Sequence, residues 1–142
     1  MFKKLLFRLY ISTHVFLYQI TNGRIGGEMS GMSILLLSTT GRRTGKKRTV
    51  PLSYMEDGEN FVVVGSNAGR DFHPAWYLNL KTEPKAVVQV KDEVLAIEAK
   101  QANEGEKRRI WPDLVEFAPA YQDYQQKNAR DIPIMILHPD DD

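Results

Sequence analysis

From residue 32 onward the chain is dominated by short, unbroken apolar runs separated by turn residues, and such runs predict buried strands. "MSILLLSTT" (32–40), "FVVVGS" (61–66), "KAVVQV" (85–90) and "IPIMILH" (132–138) are of this kind. "VLAIEAKQA" (94–102) alternates apolar and polar positions, as a strand with one wet face does. "KKRTVPLSYM" (46–55) is also extended, but Pro51 fits it to an edge or a bulge. "EDGEN" predicts a hairpin turn on Asp57-Gly58, and "KDE" (91–93) predicts a second.

Helical spacing is confined to a few places. Phe2, Leu5, Leu6, Leu9, Thr13, Phe16, Leu17 and Ile20 give residues 1–22 one amphipathic helix ahead of a single domain over 23–142. Lys3, Lys4, Arg8 and His14 break its apolar face, which argues against a spanning helix. No small-residue cleavage site follows it. The helix either caps the core or lies on an anionic membrane surface. Pro74 opens a short helix reaching Lys81, with Asp71 or His73 near its cap. Asn103 and Glu106 form a capping-box pattern opening "EGEKRRIWPDLVEF", which Pro112 should kink or divide. "PAYQDYQQK" (119–127) reads as a further helical turn.

About six strands with helices inserted late predict a mainly β fold with helices (α+β), an antiparallel sheet closed or half-closed into a barrel. Repeated strand–helix alternation is missing, so a dinucleotide fold is excluded. At 142 residues, 42% apolar and 26% charged, the chain suits one soluble domain with a real core. The absence of cysteine removes disulfides, thiolate metal sites and a cysteine nucleophile, and is compatible with the cytoplasm.

Charge changes the picture more. Net charge is only +1, yet residues 1–55 hold nine basic residues against one acid, Glu28. The other 87 residues hold ten basic against seventeen acidic ones, a net −7. Five of the basic residues (Arg42, Arg43, Lys46, Lys47, Arg48) crowd into "TTGRRTGKKRTVPL" between two predicted strands. The split implies a local anion site or a solvated basic face rather than a generally basic, nucleic-acid-binding protein. Gly41 and Gly45 let that loop turn tightly and expose backbone N–H groups, and arginine forks suit phosphate or carboxylate. It is not a P-loop, because a strand and not a helix follows.

Ser66, Asn67, Ala68 and Gly69 form either a second polar site at a strand end or a plain turn. Trp76, Tyr77, Trp111, Tyr121 and Tyr124 are candidates for stacking on a flat ring, core packing being the alternative for both tryptophans. Tyr121 and Tyr124 share a face if helical. The three histidines are dispersed, with no metal-ligand spacing, and no nucleophile elbow exists. If the chain is an enzyme, a bound cofactor supplies the hard chemistry.

Residues 20–138 resemble the deazaflavin (F420)-dependent nitroreductase family, which includes split-barrel quinone and nitro reductases. The blocks "TTGRRTG…RTVPL", "SNAGRDFHPAWYLNL" and "YQDYQ", in that order, carry the resemblance. It implies a split β-barrel related to flavin mononucleotide (FMN)-binding barrels. It also implies the 8-hydroxy-5-deazaflavin coenzyme F420, whose tail carries a phosphate and several carboxylates. The basic loop would hold that tail through Arg42, Arg43 and Arg48. Ser66, Asn67, Pro74, Ala75, Trp76 and Asn79 would line the coenzyme site.

The implied reaction is hydride transfer to a small activated acceptor such as a quinone, enone or nitro compound. Ser66, Tyr121 and Tyr124 would sit on the acceptor side. The chain departs from the family where a tyrosine often follows "VPL" (here Ser53) and where one often precedes the tyrosine pair (here Ala118). The coenzyme residues therefore match while the acceptor pocket differs. The alternatives are an FMN-binding reductase and a non-catalytic small-molecule carrier held at the membrane. The expected setting is cytoplasmic, with or without contact at the inner membrane face, as monomer or homodimer.

Overall fold

The structure, a computed structural model, describes residues 2–140. Helix α1 (Phe2–Thr21) leads into β1 (Glu28–Met29), β2 (Met32–Thr40), β3 (Lys47–Ser53), β4 (Met55–Asp57) and β5 (Asn60–Val64). A 3-10 turn (Asn67–Gly69) and helix α2 (Ala75–Thr82) follow. Strands β6 (Lys85–Val90) and β7 (Glu93–Gln101), helices α3 (Glu104–Phe117) and α4 (Ala120–Lys127), and β8 (Ile134–Pro139) complete the chain.

All strand pairs are antiparallel, in the order β1-β2-β6-β7-β8-β5-β4, with β3 paired along β2. The two edge strands β3 and β4 are separated in sequence by one residue, Tyr54. The sheet must therefore curl until its edges meet, which gives the split barrel. Tyr54 marks the joint: its N–H bonds Ser33 O at 3.1 Å, and its ring packs edge-on against Phe61. The expected mainly β barrel is found, with eight strands rather than six. The extra two are β1 and β4, of two and three residues. The run expected as one strand over 46–55 is interrupted at Tyr54.

Both faces of β2, β5 and β8 are covered, which is why their apolar runs are unbroken. Leu35, Leu37, Val63, Val88, Ile97, Met135 and Leu137 point into the barrel with Trp76, Tyr77 and Leu80 of α2. Val62, Val64, Ile134 and Ile136 face outward, under Ile110 and Leu114 of α3. Ile34 and Leu36 are covered by Tyr18 of α1. Asn103 and Glu106 form the expected capping box. Pro112 lies inside one continuous α3 and does not divide it. Pro112 and Arg108, four residues before it, are both exposed, so water replaces the missing hydrogen bond.

Helix α1 serves two purposes. Its last turns cap the sheet. The Tyr18 hydroxyl accepts from Lys91 N–H at 2.8 Å and lies 3.0 Å from Ile34 O and 3.2 Å from Gln89 O, fastening the helix to β2 and to the β6–β7 turn. Its first half stands clear, with Phe2, Leu5, Leu6, Phe7, Leu9 and Tyr10 exposed. No helix of the described residues is long and apolar enough to cross a membrane.

Candidate functional site

The basic loop joins β2 to β3 and is shaped by its glycines. Gly41 N–H bonds Lys46 O at 2.7 Å, and Gly45 N–H bonds Gly41 O at 2.8 Å. Gly45 turns through the left-handed region (φ +70°), and a Cβ on Gly41 would come within 3.0 Å of Lys46 O. The turn holds Arg42, Arg43, Lys46, Lys47 and Arg48 at the surface. None of the five joins a salt bridge among the described residues, where the pairs are Lys100–Glu106, Lys107–Asp131 and Arg109–Asp57. Five uncompensated cations on a braced backbone attract a multiply charged anion.

Helix α2 stands behind this loop. Asn79 is only 4% exposed, and its amide is shared between two partners. Its Oδ1 accepts from Arg42 N–H at 3.1 Å, and its Nδ2 donates to the buried Thr39 hydroxyl at 3.0 Å. Asn79 therefore orients the loop from beneath. Trp76 is packed in the barrel core and 8% exposed, leaving little ring surface for stacking. Pro74 is the helix N-cap and provides no side-chain cap. The first-turn amides of Ala75, Trp76 and Tyr77 thus carry the positive end of the helix without a helical acceptor.

The segment before α2 is the second half of the site. Asn67, Ala68 and Gly69 all lie in the left-handed region, at φ 51°, 54° and 82°. Two of these are not glycine, a strain of about 1–3 kcal/mol each that surrounding contacts must hold. Asn67 Nδ2 donates to Phe72 O at 3.1 Å. Tyr124 of α4 lies against Gly69, where a Cβ would come 2.7 Å from its ring. The Asn128 amide donates to Gly69 O at 2.9 Å, and the Arg130 guanidinium reaches several groups of the same segment. The structure thus brings Tyr124 beside the turn that begins at Ser66.

Ser66 is 8% exposed, and its hydroxyl has no partner among the described residues. Tyr121 and Tyr124 have ring centroids 6.5 Å apart, and neither hydroxyl has a hydrogen-bond partner among the described residues. Burial pushes the Tyr121 phenol up, with Tyr124 adding to the shift, so Tyr121 is a neutral donor at physiological pH. Trp111 is a packing residue beside them, its Nε1–H donating to Gln122 Oε1 at 3.0 Å. Asn128 and Arg130 were not found from sequence. Their role lies in which backbone carbonyls they meet, and no local pattern announces that.

The profile of the F420H(2)-dependent quinone reductase family matches residues 10–139. The chain belongs to this family. It is 37% identical over 128 residues to an F420H(2)-dependent quinone reductase of Mycobacterium tuberculosis, covering 87% of this chain and 86% of that protein. Among solved structures, an F420-H2 dependent reductase superposes with a TM-score of 0.68 at 40% identity, covering 74% of this chain and 93% of the other. A second, described as a domain-swapped dimer, gives 0.69 at 35% identity over 89% of this chain and 94% of the other. The haem storage protein HutZ of Vibrio cholerae matches at 0.57 and 15% identity, covering 77% of this chain and 82% of that one, and shares the fold alone. Membership of the quinone reductase family sharpens the earlier resemblance, which left quinone and nitro acceptors side by side.

Proposed function

We propose that this protein is an F420H2-dependent reductase that delivers a hydride to a quinone. The observation that carries the reading is the set of five unpaired cations on a loop braced from beneath by Asn79 of α2. Those groups suit F420, whose tail is anionic along its length. Arg42, Arg43 and Arg48 hold the tail by charge-assisted hydrogen bonds. Ser66 and Asn67, with the α2 start at Pro74 and Ala75, line the ring end. Asn79 contributes from below by fixing Arg42, and Trp76 by supporting the wall. When bound, the reduced coenzyme supplies the hydride.

The chain's own part in the reaction is placement and charge control. The loop and α2 fix one end of the site so that the acceptor is presented in a single orientation. The unpartnered hydroxyls of Ser66, Tyr121 and Tyr124 donate hydrogen bonds to the oxygen of the acceptor where negative charge develops.

The site is tested by titrating purified protein with oxidised F420, followed by fluorescence, with FMN in parallel. Tight binding of F420 alone supports the reading, and preference for FMN overturns it. Turnover is then assayed by oxidation of F420H2 with a panel of quinones, enones and nitro compounds. Binding without turnover of any would favour the carrier alternative.

A membrane-facing role for α1 is the finer part of the proposal. The exposed face over Phe2 to Tyr10 is flanked by Lys3, Lys4 and Arg8 with no acid in the helix, the composition of an anionic-surface anchor. Deleting residues 2–10 should abolish sedimentation with phosphatidylglycerol vesicles and leave the protein folded. Loss of a dimer instead would assign that face to a second copy, the state by which one solved relative is described.

A further inference from the structure

We propose that Arg130 is a positioning residue that holds residues 65–73 in the shape that presents Ser66 and Asn67 to the coenzyme. The inference rests on the deazaflavin reading above. Arg130 follows α4, and its guanidinium lies far in sequence from everything it touches. Nε–H donates to Arg70 O at 3.2 Å. One terminal nitrogen donates to Gly65 O at 3.1 Å and meets His73 Nδ1 at 3.2 Å. The other donates to Ser66 O at 2.9 Å and to Arg70 O at 3.0 Å. All five N–H groups of the guanidinium thus converge on one nine-residue segment.

The arrangement has the marks of a device rather than of an incidental contact. Arg130 pairs with no carboxylate among the described residues, so its charge is engaged by carbonyls and one imidazole. The carbonyls of Gly65, Ser66 and Arg70 flank the three consecutive left-handed residues. Fixing those carbonyls fixes the turn between them. Asn128 adds a bond from its Nδ2 to Gly69 O, and Tyr124 closes the space over Gly69. His73 Nδ1 accepts from Arg130, so the ring carries its proton on Nε2 when neutral. Lysine cannot replace this set, since it lacks the planar fork that spans several acceptors at once.

The test uses the full chain, with Arg130→Ala and Arg130→Lys. Amide exchange at Gly69 and Arg70 is compared with exchange in β6 and β7, and oxidised F420 is titrated into each protein. The expected result is faster exchange at Gly69 and Arg70 with the β6–β7 amides unchanged. Affinity should loosen by about tenfold or more, the equivalent of one charge-assisted bond, and lysine should not restore it. Millimolar guanidinium chloride should recover binding in Arg130→Ala where equal sodium chloride does not.

Wild-type affinity in a folded Arg130→Ala protein would overturn the inference. So would equal loss of protection across the whole barrel, which would mark Arg130 as a general stabiliser. If the wild-type protein binds no F420, the functional reading fails and this inference falls with it. If wild type binds and the variants bind equally, only the inference fails.

Discussion

Replacing Asn79 with alanine tests how the fold presents the basic loop. The side chain is 4% exposed and Thr39, its partner, 3%. Asn79→Ala removes the bond from Nδ2 to Thr39 and the bond from Arg42 N–H to Oδ1. The Arg42 N–H lies at the surface and regains water, at a net cost of about 0.5–1.5 kcal/mol. The Thr39 hydroxyl is enclosed and does not, which costs a further 1–3 kcal/mol or so. The expected destabilisation is therefore about 1.5–4.5 kcal/mol, a large share of the stability of a domain this size. It is measured by urea titration at constant m-value. Thr39→Val should lessen the penalty of Asn79→Ala in a double-mutant cycle, because the stranded hydroxyl is then gone. The same variant should bind oxidised F420 about tenfold more weakly, since Arg42 and its neighbours lose a fixed origin. A fall in stability with unchanged coenzyme affinity would refute the claim that Asn79 shapes the site. A destabilisation below about 1 kcal/mol would refute the hydrogen-bond account itself.

Three further outcomes are expected. Arg43→Ala with Arg48→Ala should raise the F420 dissociation constant by about 30-fold at low salt, taking about 1 kcal/mol for each exposed contact, and by less at high salt. Salt-independent affinity in that double variant, equal to wild type, would sink the loop assignment. Tyr121→Phe with Tyr124→Phe should lower turnover with quinones and leave F420 affinity unchanged; the reverse pattern would place both hydroxyls at the coenzyme. Burial, and then the charge of Arg130, holds His73 below the ordinary histidine value. The unfolded chain therefore takes up that proton before the folded one, and stability should fall as pH drops below about 6.5. His73→Gln should flatten the urea midpoint between pH 7.5 and 5. Asp57, held low mainly by Arg109, and Glu106, held low mainly by the Asn103 N–H, lose their contributions only below about pH 4.

The parts legible in the sequence were those whose cause is local. Apolar runs announced β2, β5 and β8 because both faces of these strands are covered, and β6 because its run is equally apolar although Val87 faces solvent. The capping box on Asn103 and the hairpin at Gly58 are set by neighbouring residues. The cation cluster was legible because charge density is additive along a loop. What escaped was non-local. Strands β1 and β4 are too short to show a period, and the joint at Tyr54 follows from where two edges meet. Arg130 lies 57 to 65 positions from its partners, and its neighbours say nothing of them. Trp76 and Asn79 looked alike as lining residues, but the structure separates a wall from a brace.

The single-residue link at Tyr54 bears on how freely this protein can vary. An unpaired strand edge is a template onto which other chains can add. Here the edge strands β3 and β4 share no ladder but are held close by a link of one residue. Lengthening the chain between Ser53 and Met55 would let the seam gape and turn one barrel into a ribbon with two sticky sides. Insertions should therefore be tolerated at the exposed Gly58–Glu59 turn between β4 and β5 before they are tolerated at this one position.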